Sequence, residues 1–560
     1  MQKYQKIILL ALLLTLQTVI AQREGSIPLL ALIENNGATR GGIANLQLNI
    51  QEGNGGVFLD TFPLTKFTTQ ISMRFAQQIA CQELNLDCSN LNFFYTIKSA
   101  KGIIGGPSAG AAATILSASL LKNIPLNESV VITGTINSGG MIGSVGGLKE
   151  KIEAAAQKNY SKVLIPKGTK DQEENNSTID MIKYGQEQGI TVIEVGTLSE
   201  SLKQFNNNFE QEEMPEFYID EQYKKIMNQV AEDLCNRVKV FPDNFKNLTM
   251  KALDEKSYYS AASLCFRSHI EEKQKEYSEL NIEKEHMPFL KMILKKKIDK
   301  LDQELSEQNT DSITDLQTIM SVRERIDETK ELFNEMKEEK LEEALKIFAF
   351  AEERLYSAKL WTKFFELKDS KKVLDKTNLR KSCENKIAES EERLQYLREY
   401  VPFPLTKTEN DLNKAYAQLE KDPISCLYLA SKTKAGINAI LSVLGIKKER
   451  IPEILEIKLD LVKKSLVRAQ QKSVFPLISY SYYEYANSLT EFDEQSAILY
   501  AEYALEFVSL DMYFSLNRLA EKKAFTFLKF QFNSFISGLI IGLLIFGLFL
   551  IIHKKNKNFF

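Results

Sequence analysis

The sequence predicts a mixed α and β domain over residues 25–206 and an all-α region over residues 215–528. Glycine separates the two regions, because 21 of the 26 glycines precede residue 200 and none lies between residues 197 and 435. Short apolar runs alternate with turn residues in the first region, a pattern typical of strands and helices with short connections. The predicted fold class is therefore α+β, followed by an irregular helical domain or a solenoid.

The elements of the first region follow one another closely. Strands are predicted at 29–37, 43–56, 92–97, 129–136, 162–166 and 191–195, and helices at 67–84, 108–122 and 147–158. Asn-Gly and Gly-Gly turns are expected to close the first two strands.

The second region consists of long amphipathic segments with few helix breakers. Residues 338–361 and 496–510 carry alanine and aromatic side chains at the i, i+3 and i+4 spacing of a helix face. The turns predicted between these segments resemble those of tetratricopeptide hairpins, but they recur at about 70 to 90 residues and not at the 34-residue period. The aromatic side chains are interpreted as core positions and not as a ligand pocket.

The N-terminal residues have the pattern of a secretory signal peptide, predicted over residues 1–21. Lys3 and Lys6 precede the apolar run 7–16, and Val19 and Ala21 supply the small residues of a cleavage site.

The C-terminal residues predict a transmembrane helix over 534–552. This run holds 19 residues without a charge, which is long enough to cross a bilayer as a helix. Lysines in the tail 553–560 place that tail in the cytoplasm by the positive-inside rule. The expected topology is a single-pass protein of the cell membrane whose large domains are extracytoplasmic.

Composition excludes some functions and is compatible with others. The 71 basic and 74 acidic residues nearly cancel, so no nucleic-acid partner is predicted. Six cysteines, none in a C-x-x-C pair, suggest three local disulfides, although other connectivities are open. No metal site and no cofactor are predicted.

The segment Gly106-Pro107-Ser108-Ala109-Gly110 matches the G-x-S-x-G pattern that presents a serine nucleophile. The alternative interpretation is a tight turn at the start of a closely packed helix of small residues. A serine hydroxyl needs a base to take its proton, so the choice depends on which base is present.

Histidine is poorly placed to be that base. The chain has only His269, His286 and His553, of which none lies within 160 residues of Ser108. The first two are expected on solvated helix surface in the second region, and the third in the cytoplasmic tail. Lysine is the remaining candidate.

A lysine base must be neutral, whereas its ordinary pKa is about 10.4. Burial among apolar side chains with no carboxylate nearby lowers the pKa of an amine by several units. Lys149 and Lys151 lie in the predicted helix 147–158 of the same domain. Because they are two residues apart, they face different sides of the helix.

These segments together resemble the proteolytic domain of Lon proteases, the Ser-Lys peptidases of family S16. The resemblance rests on four ordered blocks, GGPSAGAAATILSASLLKNIPL, VVITGTI, GSVGGLKEKIEAAAQ and KVLIPKG, and covers about residues 28–206. It implies a fold like ribosomal protein S5 domain 2, with Ser108 as nucleophile and Lys151, 43 residues later, as base. It also implies that Thr133 hydrogen-bonds the Lys151 amine.

The sequence departs from the family at several positions. Thr135 stands where the family has the glutamate of its T-G-E strand, and Gly105 replaces a common acidic residue. No G-x-x-x-x-G-K-[ST] phosphate loop occurs in this sequence, so activity is expected to be independent of ATP.

The predicted function is that of a membrane-anchored serine endopeptidase acting on unfolded or flexible proteins and peptides. The resemblance also implies a homo-oligomeric ring. The alternative is a non-catalytic, membrane-tethered scaffold or receptor that acts through its helical domain.

Overall fold

In the computed structural model, the described part of the chain runs from residue 23 to residue 510. Within this span the description omits residues 36–37, 63–64, 66, 99–105, 175–176, 211–213, 281, 311, 338, 368–375, 399, 402, 472–474 and 509. None of the helices described there is long and apolar enough to cross a membrane. The predicted signal peptide and the predicted transmembrane segment both lie outside the described residues.

The first region contains strands β1 to β11 and helices α1 to α5. The strands are β1 Arg23–Asn35, β2 Ala38–Glu52, β3 Val57–Phe62, β4 Leu91–Lys98, β5 Val130–Ile132, β6 Thr135–Ile136, β7 Ile142–Gly143, β8 Lys162–Pro166, β9 Asp171–Glu174, β10 Ser177–Asp180 and β11 Thr191–Val195. The helices are α1 Phe67–Glu83, α2 Gly110–Lys122, α3 Leu148–Gln157, α4 Met181–Glu187 and α5 Leu198–Phe205.

Seven of these strands form one mixed sheet in the order β11-β8-β5-β1-β2-β4-β3. Strands β11, β8, β5 and β1 are parallel neighbours, and β1 pairs antiparallel with β2. Alternate residues of β5 point to opposite faces, because Val130 and Ile132 join the core under α1 and α2 while Val131 joins the core under α3. Helices therefore cover both faces of the sheet.

The predicted strand 129–136 is wrong in one respect, because it is two short strands and not one. β5 ends at Ile132, and β6 belongs to a separate two-stranded sheet with β7. The chain leaves the main sheet at Gly134, where a Cβ atom would lie only 2.6 Å from the Ile142 side chain. Several elements were not predicted at all: β3, β7, the β9–β10 hairpin, α4 and α5.

Glycine in β2 allows a helix to approach the sheet closely. A Cβ atom on Gly41 would lie 1.8 Å from the Glu150 carbonyl oxygen of α3. Only glycine leaves room for the backbone of α3 at this point. The β1–β2 hairpin thereby fixes the position of the helix that carries Lys149 and Lys151.

The second region consists of helices in its described residues. They are α6 Glu221–Cys235, α7 Asp243–Asp254, α8 Tyr258–Glu279, α9 Met287–Ser306, α10 Ile313–Glu335, α11 Leu341–Trp361, α12 Lys376–Arg398, α13 Thr406–Gln418, α14 Pro423–Val443, α15 Ile451–Gln471, α16 Leu477–Leu489 and α17 Glu494–Val508. Helices far apart in sequence pack together, since α8 contacts α16 and α10 contacts both α14 and α16. In a solenoid each repeat contacts only its neighbours, so the solenoid interpretation is wrong.

Aromatic side chains fill the core of this helical region, as predicted. Tyr223 is 1% exposed, and Tyr259 makes edge-on contacts with Trp361 and Tyr485. Aromatic pairs in this arrangement add roughly 0.5–1.5 kcal/mol each beyond the burial of their area.

The two regions belong to one compact unit and are joined by ion pairs and hydrogen bonds. Arg450 forms a two-pronged pair with Glu194 at 2.9 Å, and Arg468 forms another with Glu83 at 2.7 and 2.9 Å. These pairs hold the edge of the sheet against the residue that precedes α15 and the end of α1 against α15 itself. Such bidentate pairs fix orientation as well as distance.

Three disulfides confirm the predicted local pairing. They are Cys81–Cys88, Cys235–Cys265 and Cys383–Cys426, with sequence separations of 7, 30 and 43 residues. The last of them joins α12 to α14.

We expect the Cys383→Ala/Cys426→Ala variant to lose more stability than the Cys81→Ala/Cys88→Ala variant. A cross-link lowers the entropy of the unfolded chain more when it closes a longer loop. The expected contribution to the free energy of unfolding is about 4 kcal/mol for the longest of these loops and about 2.4 kcal/mol for the shortest. Denaturant unfolding of both variants and of the wild type measures the difference. Equal losses would contradict this assignment of the stabilising effect to loop closure.

Candidate active site

Ser108 lies in a tight turn that introduces α2. Gly106 has a φ of +118°, a conformation that favours glycine, and Pro107–Ala109 form a single 3-10 turn. Pro107 and Ala109 are buried, whereas Ser108 is half-buried. The local sequence thus produces a rigid turn in which the residues on both sides of Ser108 are buried and Ser108 itself stays partly accessible to solvent.

The chain order brings Ser108 to the carboxyl edge of β5. Helix α2 runs from Gly110 back toward the start of β5, so its beginning lies beside the end of that strand. Two backbone hydrogen bonds hold this arrangement, from the Gly134 amide to the Ser108 carbonyl at 3.3 Å and from the Ala111 amide to the Gly134 carbonyl at 3.0 Å.

Lys151 reaches the same edge from the other face of the sheet. Helix α3 connects this edge to β8, which starts opposite Val130 in parallel register. Since α3 must therefore run antiparallel to β5 and to its parallel neighbour β1, its first turn lies at this edge of the sheet, where a Cβ atom on Gly147 would lie 2.6 Å from Leu32 near the end of β1. Lys151 is the fourth residue of α3.

The environment of Lys151 favours a neutral amine. The residue is 3% exposed, and its neighbours in α3, Leu148 and Ile152, belong to the apolar core on this face. Burial lowers the pKa of Lys151 from 10.5 to about 8, and the charge of Glu150 offsets part of this effect. An amine with this pKa is partly deprotonated near neutral pH and can accept a proton.

Lys149 differs from Lys151, as the two-residue spacing predicts. Its side chain is partly exposed, and its Nζ lies 5.9 Å from the centre of the Tyr184 ring. Only Lys151 of this pair is enclosed by the protein.

The hydrogen bond expected between Thr133 and Lys151 is not formed. Thr133 follows β5 and is fully buried, but its Oγ1 has no hydrogen-bond partner among the described residues. Ser108 and Lys151 are both among the described residues, and no hydrogen bond joins the Ser108 hydroxyl to the Lys151 amine there. Hydrogen bonds in catalytic sites are often long without substrate and shorten when it binds.

The amides at the start of α2 are partly occupied. Gly110 donates its N–H to the Pro107 carbonyl, and Ala111 donates to Gly134 as described above. The preceding residues 101–105 lie outside the described residues. Among the described groups, the N–H groups of the turn at Ser108 and Ala109 are the candidates to bind an oxyanion at the serine.

The expected position of His269 is wrong. His269 is 8% exposed in the helical core, and its Nδ1 lies 2.9 Å from Glu353, which also forms a two-pronged pair with Arg237. Its burial follows from this ionic cluster, which the local sequence does not show. Within the described ranges, no group of three or more His, Cys, Asp or Glu side chains is arranged to hold a metal ion.

Comparison with known proteins finds a family match over the segment that contains these residues. Residues 94–206 match the family model of the Lon protease (S16) C-terminal proteolytic domain. The resemblance to Lon is thereby confirmed for this segment, which includes Ser108, Thr133 and Lys151. A serine-type peptidase is the enzyme class that the match supports.

Similar sequences come from archaea and bacteria. The archaeal Lon protease of Methanocaldococcus jannaschii is 33% identical over 116 residues, which are 21% of this chain and 16% of that protein. The Lon protease of Fervidobacterium nodosum is 31% identical over 117 residues, or 20% and 14% of the two chains. That of Wolbachia pipientis is 36% identical over 98 residues, or 18% and 11%. The match thus spans less than a fifth of each relative's length.

Proposed function

We propose that the chain is a serine endopeptidase in which Ser108 is the nucleophile and Lys151 the general base. The observation that carries the proposal is the burial of Lys151 next to an apolar core that includes Val131 of β5, the strand whose end holds the Ser108 turn. A lysine without a catalytic role is rarely enclosed in this way, because burying an unpaired ammonium is costly.

The reaction proceeds through an acyl-enzyme. Neutral Lys151 takes the Ser108 proton as the serine oxygen attacks the scissile carbonyl carbon. The resulting ammonium gives this proton to the leaving amine, and the C–N bond breaks. Lys151 then takes a proton from water as the water oxygen attacks the ester carbonyl carbon, and it returns this proton to the Ser108 oxygen as the ester C–O bond breaks and the acid product leaves.

Thr133 and the turn amides would assist this cycle. The unpartnered Thr133 hydroxyl can accept a hydrogen bond from the Lys151 ammonium, which holds the amine in one direction. The N–H groups at Ser108 and Ala109 lie at the start of α2, where the helix dipole favours a negative charge. They are the proposed oxyanion donors.

The proposed enzyme works without ATP and outside the cytoplasm. The sequence has no phosphate loop, and its three disulfides are typical of an oxidising compartment. The uncharged run 534–552 would tether it to the membrane. Substrates are then unfolded or flexible proteins, and a ring of identical subunits is proposed from the resemblance alone.

Turnover of casein or of a fluorogenic peptide by the purified full-length chain, with and without ATP, tests the activity. We expect equal cleavage in both cases, because no residue in this sequence forms a phosphate loop. Cleavage that required ATP would contradict the proposal. Protease treatment of intact cells tests the location, since an exterior enzyme is degraded and a cytoplasmic one is protected.

The rival proposal is a scaffold that acts through the helical region. Retention of Ser108, Thr133 and Lys151 together disfavours it, since a scaffold does not require all three. A purified chain without any Ser108-dependent cleavage would favour the scaffold.

A further inference from the structure

Helix α12 of the helical region touches the strand that adjoins the nucleophile turn. Arg393 Nη2 donates a hydrogen bond of 3.0 Å to the Ile136 carbonyl of β6, although the two residues are 257 positions apart. Ile136 follows Gly134, whose backbone is bonded to Ser108 and Ala111. Only the short segment from Gly134 to Ile136 therefore separates the Arg393 guanidinium from the Ser108 backbone.

Arg393 is a buried cation without a paired carboxylate. It is 5% exposed, and no carboxylate lies within 4.0 Å of its guanidinium among the described residues. Its guanidinium instead lies 3.9 Å from the centre of the Phe75 ring in α1. An unpaired buried charge is costly, so the ring and the Ile136 carbonyl are the groups that compensate it.

The carboxylates near Arg393 are already paired with other cations. Glu506 pairs with Lys386 and Lys434, and Glu502 pairs with Lys458. By contrast, Arg450 and Arg468 each bind a carboxylate through both prongs. Arg393 thus differs from the arginines that merely join the two regions.

A second side chain of α12 contacts the same strand. Tyr396 lines the same small cavity as Thr135, the residue at the position where the Lon family carries glutamate. Arg393 therefore holds the backbone of β6, and Tyr396, about one helical turn later in α12, lies beside the same strand. The adjacent ion pair between Arg74 and Glu392 ties α12 to α1.

The space between these groups is too small for a substrate side chain. Phe75, Pro107, Ile136, Arg393 and Tyr396 line a cavity of about 10 Å³ beside the Ser108 turn. Such a cavity holds about one water molecule. The contact consequently supports the turn and is not a specificity pocket.

We propose that Arg393 is a positioning residue for the reaction, with Tyr396 as its partner. By holding β6, the pair fixes the segment from Thr133 to Ile136 and, through its backbone hydrogen bonds, the orientation of Ser108. The helical region then completes the active site and does more than recruit substrates. This inference rests on the proposed peptidase function.

The test measures kcat and KM for peptide cleavage by Arg393→Ala, Tyr396→Phe and wild-type full-length chains. We expect Arg393→Ala to lower kcat by roughly 10- to 100-fold with little change in KM, because small misplacements of catalytic groups cost rate and not binding. Methylguanidinium added to Arg393→Ala should restore part of kcat. Tyr396→Phe loses only a hydroxyl and should give a smaller loss, again in kcat.

Arg398→Ala is the matched control, since Arg398 lies on the same helix, is exposed and pairs with Glu409. Its kcat should equal that of the wild type. Thermal unfolding checks that each variant is folded, and Tyr396→Phe remains informative if Arg393→Ala is not. The inference would be overturned if Tyr396→Phe and a folded Arg393→Ala both kept the wild-type kcat. It would also be overturned if these variants changed KM and not kcat. A wild-type chain without Ser108-dependent cleavage would instead overturn the proposed function, and this inference with it.

Discussion

Replacement of Ser108 by alanine is expected to abolish peptide cleavage. The variant has no oxygen to attack the scissile carbonyl, so the acyl-enzyme cannot form, and losses of roughly 10⁶-fold accompany removal of such a nucleophile. The variant should still fold, because Ser108 is half-buried and its replacement removes one oxygen only. Initial rates of cleavage with a fluorogenic peptide measure the loss.

Ser161→Ala is the control for this experiment. Ser161 is an exposed serine of the same domain, and its hydroxyl bonds to Ser129 and not to the site. We expect it to cleave at the wild-type rate. Similar rates in Ser108→Ala and Ser161→Ala would show that Ser108 is not the nucleophile.

Replacement of Lys151 by methionine should remove activity and the pH dependence together. Burial lowers the pKa of Lys151 to about 8, so the neutral base increases as the pH rises through that value. Wild-type kcat/KM should therefore rise with pH and level off above about pH 8. Lys149→Met is the control and should keep both the rate and the profile.

The Lys151→Met substitution is also expected to stabilise the protein. The pKa of Lys151 in the folded chain lies below its ordinary value of 10.5, so between about pH 8 and 10.5 the unfolded chain binds more protons. Stability then rises with pH in this range, and at pH 7 the buried ammonium costs about 3 kcal/mol. Lys151→Met removes this cost, which denaturant unfolding at pH 7 would detect. The interpretation would be contradicted if Lys151→Met were less stable than the wild type at pH 7 and the difference in their free energies of unfolding were the same at pH 10.5.

Local sequence was sufficient to predict the parts of the site that depend on local patterns. The turn at Gly106, the helix after Ser108 and the opposite burial of Lys149 and Lys151 follow from glycine placement and helical spacing. The break between β5 and β6 was not predicted, because β-branched residues, which favour strands, lie on both sides of Gly134. It arises from the close contact of Gly134 with Ile142.

Long-range contacts account for the remaining differences. His269 lies in a stretch rich in charged residues, but its partner Glu353 comes from α11 and is itself paired with Arg237, which follows α6. Arg393 likewise resembles a surface arginine in its own helix, and its role depends on Phe75 and Ile136, which are distant in sequence. No local pattern in one sequence distinguishes such residues from solvated ones.

The most direct test of the Ser108–Lys151 pair is the rate at which a serine-reactive fluorophosphonate labels the chain at different pH values. Mass analysis of the digested protein identifies the labelled residue, and no knowledge of the natural substrate is needed. We predict a single adduct on Ser108, a labelling rate that rises with a midpoint near pH 8, and no labelling of Lys151→Met. An adduct on another serine, or an unchanged rate in Lys151→Met, would contradict the assignment.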